Sequence, residues 1–197
     1  MADCDLIVRN ALLFDGSGAA PVHGDLAIGE GRIVALGALG RMDADDEIDT
    51  AGRAIAPGFI DVHTHDDRAL MIGDMAMKAS QGITTVVVGN CGVSLAPWIA
   101  DRVPPPPLDL IGAQADFRFA TFAEYLDTLD RDGIALNAAC LVGHSTLRAG
   151  AMDRYDRAAD EGEMASMRGR LGEALDAGAI GLSTGLAYRP AWKRAEA

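Results

Sequence analysis

The sequence has few cysteines, a shortage of basic residues and no long apolar segment, and each shortage excludes a class of protein. Its three cysteines (Cys4, Cys91 and Cys140) form no Cys-x-x-Cys pair, which argues against a disulfide framework and predicts a reducing compartment. The 17 basic residues against 29 acidic ones give a net charge of −12, which opposes binding to nucleic acid or to an anionic membrane. No apolar run approaches the roughly 20 residues of a membrane-spanning helix, and the N-terminus lacks a signal-peptide pattern. We therefore predict a cytoplasmic protein with no nucleic-acid partner and no membrane partner.

Residues 1–56 consist of short apolar runs separated by glycine and acidic turns. The runs at 25–28 and 32–36 flank Gly29-Glu30-Gly31, a pattern that predicts a β-hairpin. We expect His23 to be a solvated histidine in a loop of this part. The spacing of the runs predicts a small β-sandwich module over residues 1–56.

From Pro57 onward the pattern changes to alternating strands and helices, which indicates the α/β class. We predict four strands at 59–65, 83–89, 135–142 and 179–183, with helices at 69–80, at 121–132 and at 160–177. Such alternation requires right-handed crossovers and a parallel sheet. A (β/α)₈ barrel needs about 250 residues, so residues 57–197 are expected to form a partial barrel of about four β/α units, truncated at its middle.

Polar side chains follow the ends of these strands, where a barrel of this kind keeps its active site. In an extended strand, residues two apart point to the same side, so His63 and His65 are expected to project together. Two imidazoles aimed at one point are half of a zinc site, although two solvated histidines at a strand end are the plainer interpretation. Cys91 follows the next strand and is either a third ligand or a buried structural cysteine.

Three stretches together resemble the N-acyl-D-amino-acid deacylases, or D-aminoacylases, of the amidohydrolase superfamily. They are Pro57-Gly58-Phe59-Ile60-Asp61-Val62-His63-Thr64-His65, the segment from Gln81 to Gly92 that ends in Gly-Asn-Cys-Gly, and Val142-Gly143-His144-Ser145-Thr146-Leu147-Arg148. The likeness extends from about residue 5 to about residue 188. It implies a metal-dependent hydrolase with a barrel and with a β-sandwich built from both ends of the family's sequence.

The resemblance also implies the cofactor, the substrate and the site residues. His63 and His65 match the family's His-x-His metal ligands, and Cys91 matches a cysteine that binds zinc. The implied reaction cleaves the amide bond of an N-acyl-D-amino acid, a small-molecule substrate, to a carboxylate and a free D-amino acid. His144 and Tyr188 resemble residues of the substrate pocket, with a structural role for each left open.

Other parts of the family's site are expected beyond Ala197, namely two more histidines and the aspartate that acts as general base. We therefore expect this chain to be weakly active or inactive alone, and a separately encoded C-terminal half is a candidate partner. Two alternatives are a non-catalytic truncated or split fragment and another cyclic-amide amidohydrolase of the hydantoinase or dihydroorotase type. Those enzymes carry a modified lysine at the end of strand four, where this sequence has Ser183 and Thr184.

Two further motifs are weaker. Gly181-Leu182-Ser183-Thr184-Gly185 fits the nucleophile elbow of serine hydrolases, but no histidine follows Ser183 in the sequence, and that fold needs one. Gly16-x-Gly18 and Gly29-x-Gly31 lack the third glycine of a dinucleotide-binding loop.

Overall fold

The structure is a computed structural model that describes residues 2–187, and the chain divides into two units, residues 1–58 and 59–197. The first unit is a single sheet of five strands: β1 (Cys4–Leu13), β2 (Val22–Gly29), β3 (Arg32–Gly37), β4 (Ala44–Asp49) and β5 (Ala54–Ile55). The strand order is β3-β2-β1-β4, and β5 also pairs with β1. Strands β1, β2 and β3 are antiparallel neighbours, whereas β4 and β5 run parallel to β1.

The hairpin predicted around Gly29-Glu30-Gly31 is confirmed, since β2 and β3 pair with Gly29 opposite Arg32. Glu30 and Gly31 both have positive φ, as the tight primed turns of hairpins require. His23 lies in β2 opposite Leu12, so its expected place in a loop was wrong. The described strands form one layer, and the β-sandwich stays a prediction because the resemblance takes its second layer from the other end of the family's sequence.

The second unit alternates strands with helices. Its elements in chain order are β6 (Phe59–Asp61), α1 (Asp67–Ile72), α2 (Ala76–Ala79), β7 (Ile83–Val88), β8 (Trp98–Ile99), β9 (Arg118–Phe119), α3 (Phe122–Asp132), β10 (Asn137–Gly143), α4 (His144–Ala151), α5 (Glu161–Asp176) and β11 (Gly181–Ser183). Strands β6, β7, β10 and β11 form one parallel sheet in that spatial order. The parallel α/β sheet expected from the alternation is therefore present.

Three local predictions for this unit need correction. The strand predicted over 59–65 ends at Asp61, because the chain leaves the ladder before the histidines. The helix predicted over 69–80 is broken into α1 and α2, since Gly73 is extended and the Asp74 carboxylate accepts the Ala76 N–H instead. Helix α4 was not predicted at all, because His144-Ser145-Thr146 was interpreted as the loop after a strand.

The long connection over residues 93–120 is packed against the sheet and helices. Trp98 and Phe119 pair across the small β8–β9 hairpin, and Trp98 also packs on Phe117 with ring centroids 5.1 Å apart. These three rings are almost fully buried in the core of the second unit. A loop anchored by aromatic side chains keeps a fixed position at the carboxyl edge of the sheet, which is where β7 and β10 end.

None of the helices in residues 2–187 is both long and apolar enough to cross a bilayer.

Helix α5 begins with a capping box in which Asp160 and Glu163 exchange hydrogen bonds, and Arg157 contacts both carboxylate oxygens of Glu163. The Arg157 guanidinium lowers the pKa of Glu163 to about 2. A carboxyl whose pKa is lowered in the folded state stabilises the fold at pH values above its pKa in the unfolded chain, and this stability is lost as pH falls toward 2.

We expect Glu163→Gln to lose stability at pH 7 but to match the unchanged chain near pH 2, with the free energy of unfolding measured by urea unfolding across pH.

The exposed Glu161 lies in the same first turn and provides the control. Glu161→Gln should track the unchanged chain across the whole pH range. Equal pH profiles for Glu163→Gln and the unchanged chain would contradict the assignment.

Candidate metal centre

His63 and His65 lie directly after β6, at the carboxyl edge of the parallel sheet. Thr64, between them, is buried, and both its N–H and its hydroxyl donate to the carbonyl oxygen of Val87, at 3.1 and 3.0 Å. Anchoring Thr64 inward leaves the two flanking imidazoles on the outer side, where both are exposed. Their ring centroids are 5.8 Å apart and the rings are nearly perpendicular.

Cys91 follows β7 in a tight turn of unusual backbone conformation. Gly89, Cys91 and Gly92 all have positive φ, and Cys91 is not a glycine, so its conformation costs roughly 1–2 kcal/mol that the surroundings must offset. A Cβ atom at Gly89 would lie 2.0 Å from the carbonyl oxygen of Leu141, inside atomic contact. The Gly-Asn-Cys-Gly motif therefore fits a turn that passes very close to β10.

The turn brings the Cys91 thiol to the histidines. Its Sγ lies 3.1 Å from Nε2 of His63, and the ligand atoms of His63, His65 and Cys91 all lie within 4.8 Å of one another. Ligand atoms around one tetrahedral zinc ion are about 3.3–3.8 Å apart, given bonds of about 2.0–2.3 Å. Two imidazoles and a thiolate are also a donor set that zinc prefers. The three residues thus offer a zinc-type donor set whose ligand atoms already lie within about 1 Å of the spacing that one zinc ion requires.

Asn90 ties this turn to the histidine segment. Its Nδ2 donates to the carbonyl oxygen of Val87 at 2.8 Å and lies 3.4 Å from that of Thr64. The Val87 carbonyl thus accepts hydrogen bonds from Thr64 and from Asn90 together. Because one carbonyl oxygen holds both segments, the histidines and the cysteine keep a common position.

Two side chains that sequence reasoning did not assign to the site also hold the Cys91 turn. The Ser183 hydroxyl, at the end of β11, accepts the Gly92 N–H at 2.9 Å and donates to the Gly89 carbonyl. Asp67 is fully buried and accepts the Gly89 N–H at 3.2 Å, and burial raises the pKa of its carboxyl to about 7. Their positions in the sequence could have indicated this role, because Asp67 follows the two histidines closely and Ser183 ends the fourth strand of the parallel sheet.

One lysine pairs with two carboxylates beside the histidines. Lys78 Nζ lies 2.7 Å from Asp61 and 2.8 Å from Asp66, and Asp61 also accepts the backbone N–H of His63 at 3.3 Å. Partial desolvation of the imidazole, with the charge of His63 as a second cause, lowers the pKa of His65. A lowered pKa favours the neutral imidazole, which is the form that binds metal.

His144, predicted as a pocket residue, begins α4 at the end of β10 and lies outside the group of three. Its Nδ1 is 3.4 Å from the Thr184 hydroxyl, and burial, followed by the charge of Arg148, lowers its pKa. Tyr188, the other predicted pocket residue, lies outside the described residues.

A cavity of about 50 Å³ adjoins the site, lined by His65, Cys91, Val93, Pro107 and Leu110. The 93–120 connection therefore forms one wall of the cavity beside His65 and Cys91.

A sequence model of the amidohydrolase family matches residues 46–196 of this chain. The chain belongs to the amidohydrolase family. It is 52% identical to the N-acyl-D-aspartate deacylase of Alcaligenes xylosoxydans xylosoxydans over 96% of its length, and 50% identical to the D-aminoacylase of the same organism over 95%. It covers 38% and 39% of those two relatives, so it corresponds to the N-terminal part of an N-acyl-D-amino-acid deacylase.

Solved structures give the same relationship. The chain superposes on a D-aminoacylase described with a binuclear metal centre, with a TM-score of 0.91 and 47% identity over 95% of this chain and 40% of the other. The chain also superposes on an N-acyl-D-glutamate deacylase from Bordetella bronchiseptica that is complexed with zinc and a phosphonate inhibitor. That match has a TM-score of 0.88 and 43% sequence identity, and it covers 95% of this chain and 40% of the other. An L-hydantoinase from Arthrobacter aurescens matches with a TM-score of 0.56 at 20% identity, which shows a shared fold alone.

The close approach of the Cys91 turn to β10 gives a stability test. Gly89→Ala should destabilise the chain by at least about 3 kcal/mol, because its new methyl group meets the Leu141 carbonyl and its φ is positive. Gly169→Ala, in α5, is the control, since a Cβ there meets nothing within 4 Å. It should stabilise the helix by about 0.5–1 kcal/mol. Urea unfolding measures both, and a Gly89→Ala chain as stable as the unchanged protein would contradict the described turn.

Proposed function

We propose that this chain is the metal-binding N-terminal part of a zinc hydrolase that cleaves N-acyl-D-amino acids to a carboxylate and a free D-amino acid. The observation that carries the proposal is the convergence of His63, His65 and Cys91, whose ligand atoms lie within 4.8 Å of one another. The substrate class is supported by the relatives, whose names specify N-acyl-D-aspartate and N-acyl-D-glutamate.

The sheet supports the same proposal at the level of architecture. Four parallel strands in sequential spatial order, with helices in the connections, are what the first half of a (β/α)₈ barrel contains. All three proposed ligands follow strands at the carboxyl edge, the end that carries the active site in such barrels. We infer that the chain supplies half of the barrel and that the remaining histidines and the aspartate base come from a C-terminal half, joined or separately encoded.

In this proposal the residues of the chain hold and orient the zinc ligands. Zinc, when bound, polarises an amide carbonyl and lowers the pKa of water. Neutral imidazoles of His63 and His65 offer their nitrogen lone pairs, and Cys91 offers a thiolate. Asp61 accepts the backbone N–H of His63, and Lys78 pairs with the carboxylates of Asp61 and Asp66, which leaves one negative charge beside the site. Pro107 and Leu110 line the small cavity beside Cys91.

Two other functions compete with this one. A hydantoinase or dihydroorotase type of enzyme is disfavoured because Ser183, at the end of the fourth strand, stands where those enzymes carry a lysine and is committed to the Cys91 turn. A non-catalytic fragment that binds metal without turnover remains the second candidate. It is favoured by the exposure of both histidines in this chain.

Zinc binding tests the ligand set directly. The chain should bind one zinc ion, and His63→Ala, His65→Ala or Cys91→Ser should each reduce the affinity at least about 100-fold, because each leaves only two protein ligands. His23→Ala is the control, since His23 lies in the other unit, in strand β2. Metal analysis after dialysis and chelator competition measure the affinity. Undiminished zinc binding in the Cys91→Ser chain would exclude the thiolate as a ligand.

A chimera tests the reaction. Residues 6–187 of this chain, placed in the aligned segment of the 50%-identical D-aminoacylase, should hydrolyse N-acetyl-D-methionine and leave N-acetyl-L-methionine intact. The same chimera with Cys91→Ser should lose that turnover. The chain alone, assayed with zinc, should bind the metal with little or no turnover. A zinc-loaded chimera that cleaves neither enantiomer would favour the non-catalytic fragment.

A further inference from the structure

Ser183 is the side chain in the fourth strand that contacts the Cys91 turn on both sides. Its hydroxyl accepts the N–H of Gly92, 2.9 Å away, and donates to the carbonyl of Gly89. These two glycines flank the Asn90-Cys91 pair, so one hydroxyl bridges the two ends of the turn. The Oγ thus uses its one donor and one of its two acceptor lone pairs on the turn.

The turn needs such a bridge because its backbone is unusual. Gly89, Cys91 and Gly92 have φ values of +79°, +54° and +79°. Within the turn, the Val93 N–H donates to the Asn90 carbonyl at 2.9 Å, and this leaves the Gly92 N–H to Ser183. The direction of the Cys91 side chain follows from its left-handed backbone, so whatever holds that backbone also aims the sulfur at His63.

We propose that Ser183 is a positioning residue for the Cys91 ligand, which fixes the left-handed turn from the end of β11, two strands away from β7, so that the sulfur and the two imidazoles meet at one zinc ion. This inference rests on the proposed zinc site. It also gives a role to the serine of Gly181-Leu182-Ser183-Thr184-Gly185 that is not nucleophilic. Its hydroxyl proton is donated to the Gly89 carbonyl, so the serine is committed to a structural bond.

The neighbouring strand end supplies a matched control. Ser145 is fully buried, its Oγ has no hydrogen-bond partner among the described residues, and it lies near Gly92, at 3.2 Å from where a Cβ of that glycine would be. Replacing Ser145 by alanine therefore removes a buried hydroxyl close to the same turn without removing a bond that holds the turn.

The experiment measures zinc affinity by chelator competition in four variants of the 197-residue chain: Ser183→Ala, Ser183→Val, Ser183→Thr and Ser145→Ala. We expect Ser183→Ala and Ser183→Val to lose about 10- to 100-fold in zinc affinity, the range typical of residues that orient metal ligands. Ser183→Thr has the shape of the valine variant but keeps the hydroxyl, and should remain within about threefold of the unchanged chain. Ser145→Ala should bind zinc as the unchanged chain does.

Cobalt(II) substitution adds a readout that a general loss of folding does not imitate. The thiolate-to-cobalt absorption should weaken in Ser183→Val, while circular dichroism shows the helices unchanged. Equal zinc affinity in the threonine and valine variants would overturn the inference, as would an affinity loss accompanied by loss of the helical signal. If the unchanged chain itself binds no zinc, the proposed function fails first, so the two failures are distinguishable.

Discussion

The left-handed turn at Cys91 is the constraint on which the rest of the site depends. The turn passes so close to β10 that a side chain at Gly89 would collide with the backbone of Leu141, and this closeness brings the Cys91 sulfur to 3.1 Å from His63. A cysteine in an ordinary extended loop after β7 would point elsewhere. Contacts at the edge of the sheet therefore hold the strained backbone of the Cys91 turn and thereby determine the position of the Cys91 sulfur.

Support for the turn comes from both sides of β7, from the segment after β6 on one side and from β11, beyond β10, on the other. On the β6 side, the Val87 carbonyl joins Thr64 to Asn90, and the buried Asp67 accepts the Gly89 N–H. On the β11 side, Ser183 bridges Gly89 and Gly92. A parallel sheet makes this possible because all its strands end at the same edge, so residues far apart in sequence become neighbours. His63 and His65 are exposed and Cys91 is half-buried, while the groups that hold their backbone are buried or half-buried.

Much of this arrangement was accessible from the sequence. The two-residue spacing predicted that His63 and His65 would share a direction, and both are exposed on the outer side, although they follow β6 and do not lie within it. The alternation after Pro57 predicted the parallel sheet that brings Cys91 beside them. The helix over 121–132 and the hairpin at Glu30 and Gly31 were also predicted, because each depends on a short local pattern. Local patterns are predictable when the interactions that decide them lie within a few residues.

Other features depended on contacts between distant residues and were missed. Packing across the sheet edge, which no local pattern encodes, decides three of them. These are the break in the helix at Gly73, the helix α4 that begins at His144, and the bridge from Ser183 to the Cys91 turn. The chain spans about two fifths of the length of its curated relatives.

X-ray absorption spectroscopy at the zinc edge tests the central claim most directly, since it reports the atoms around the metal. For the zinc-loaded chain, the account predicts one sulfur neighbour at about 2.3 Å and two imidazole nitrogens at about 2.0–2.1 Å. In the Cys91→Ser chain, the sulfur contribution should disappear. A zinc ion surrounded by nitrogen and oxygen alone in the unchanged chain would contradict the account.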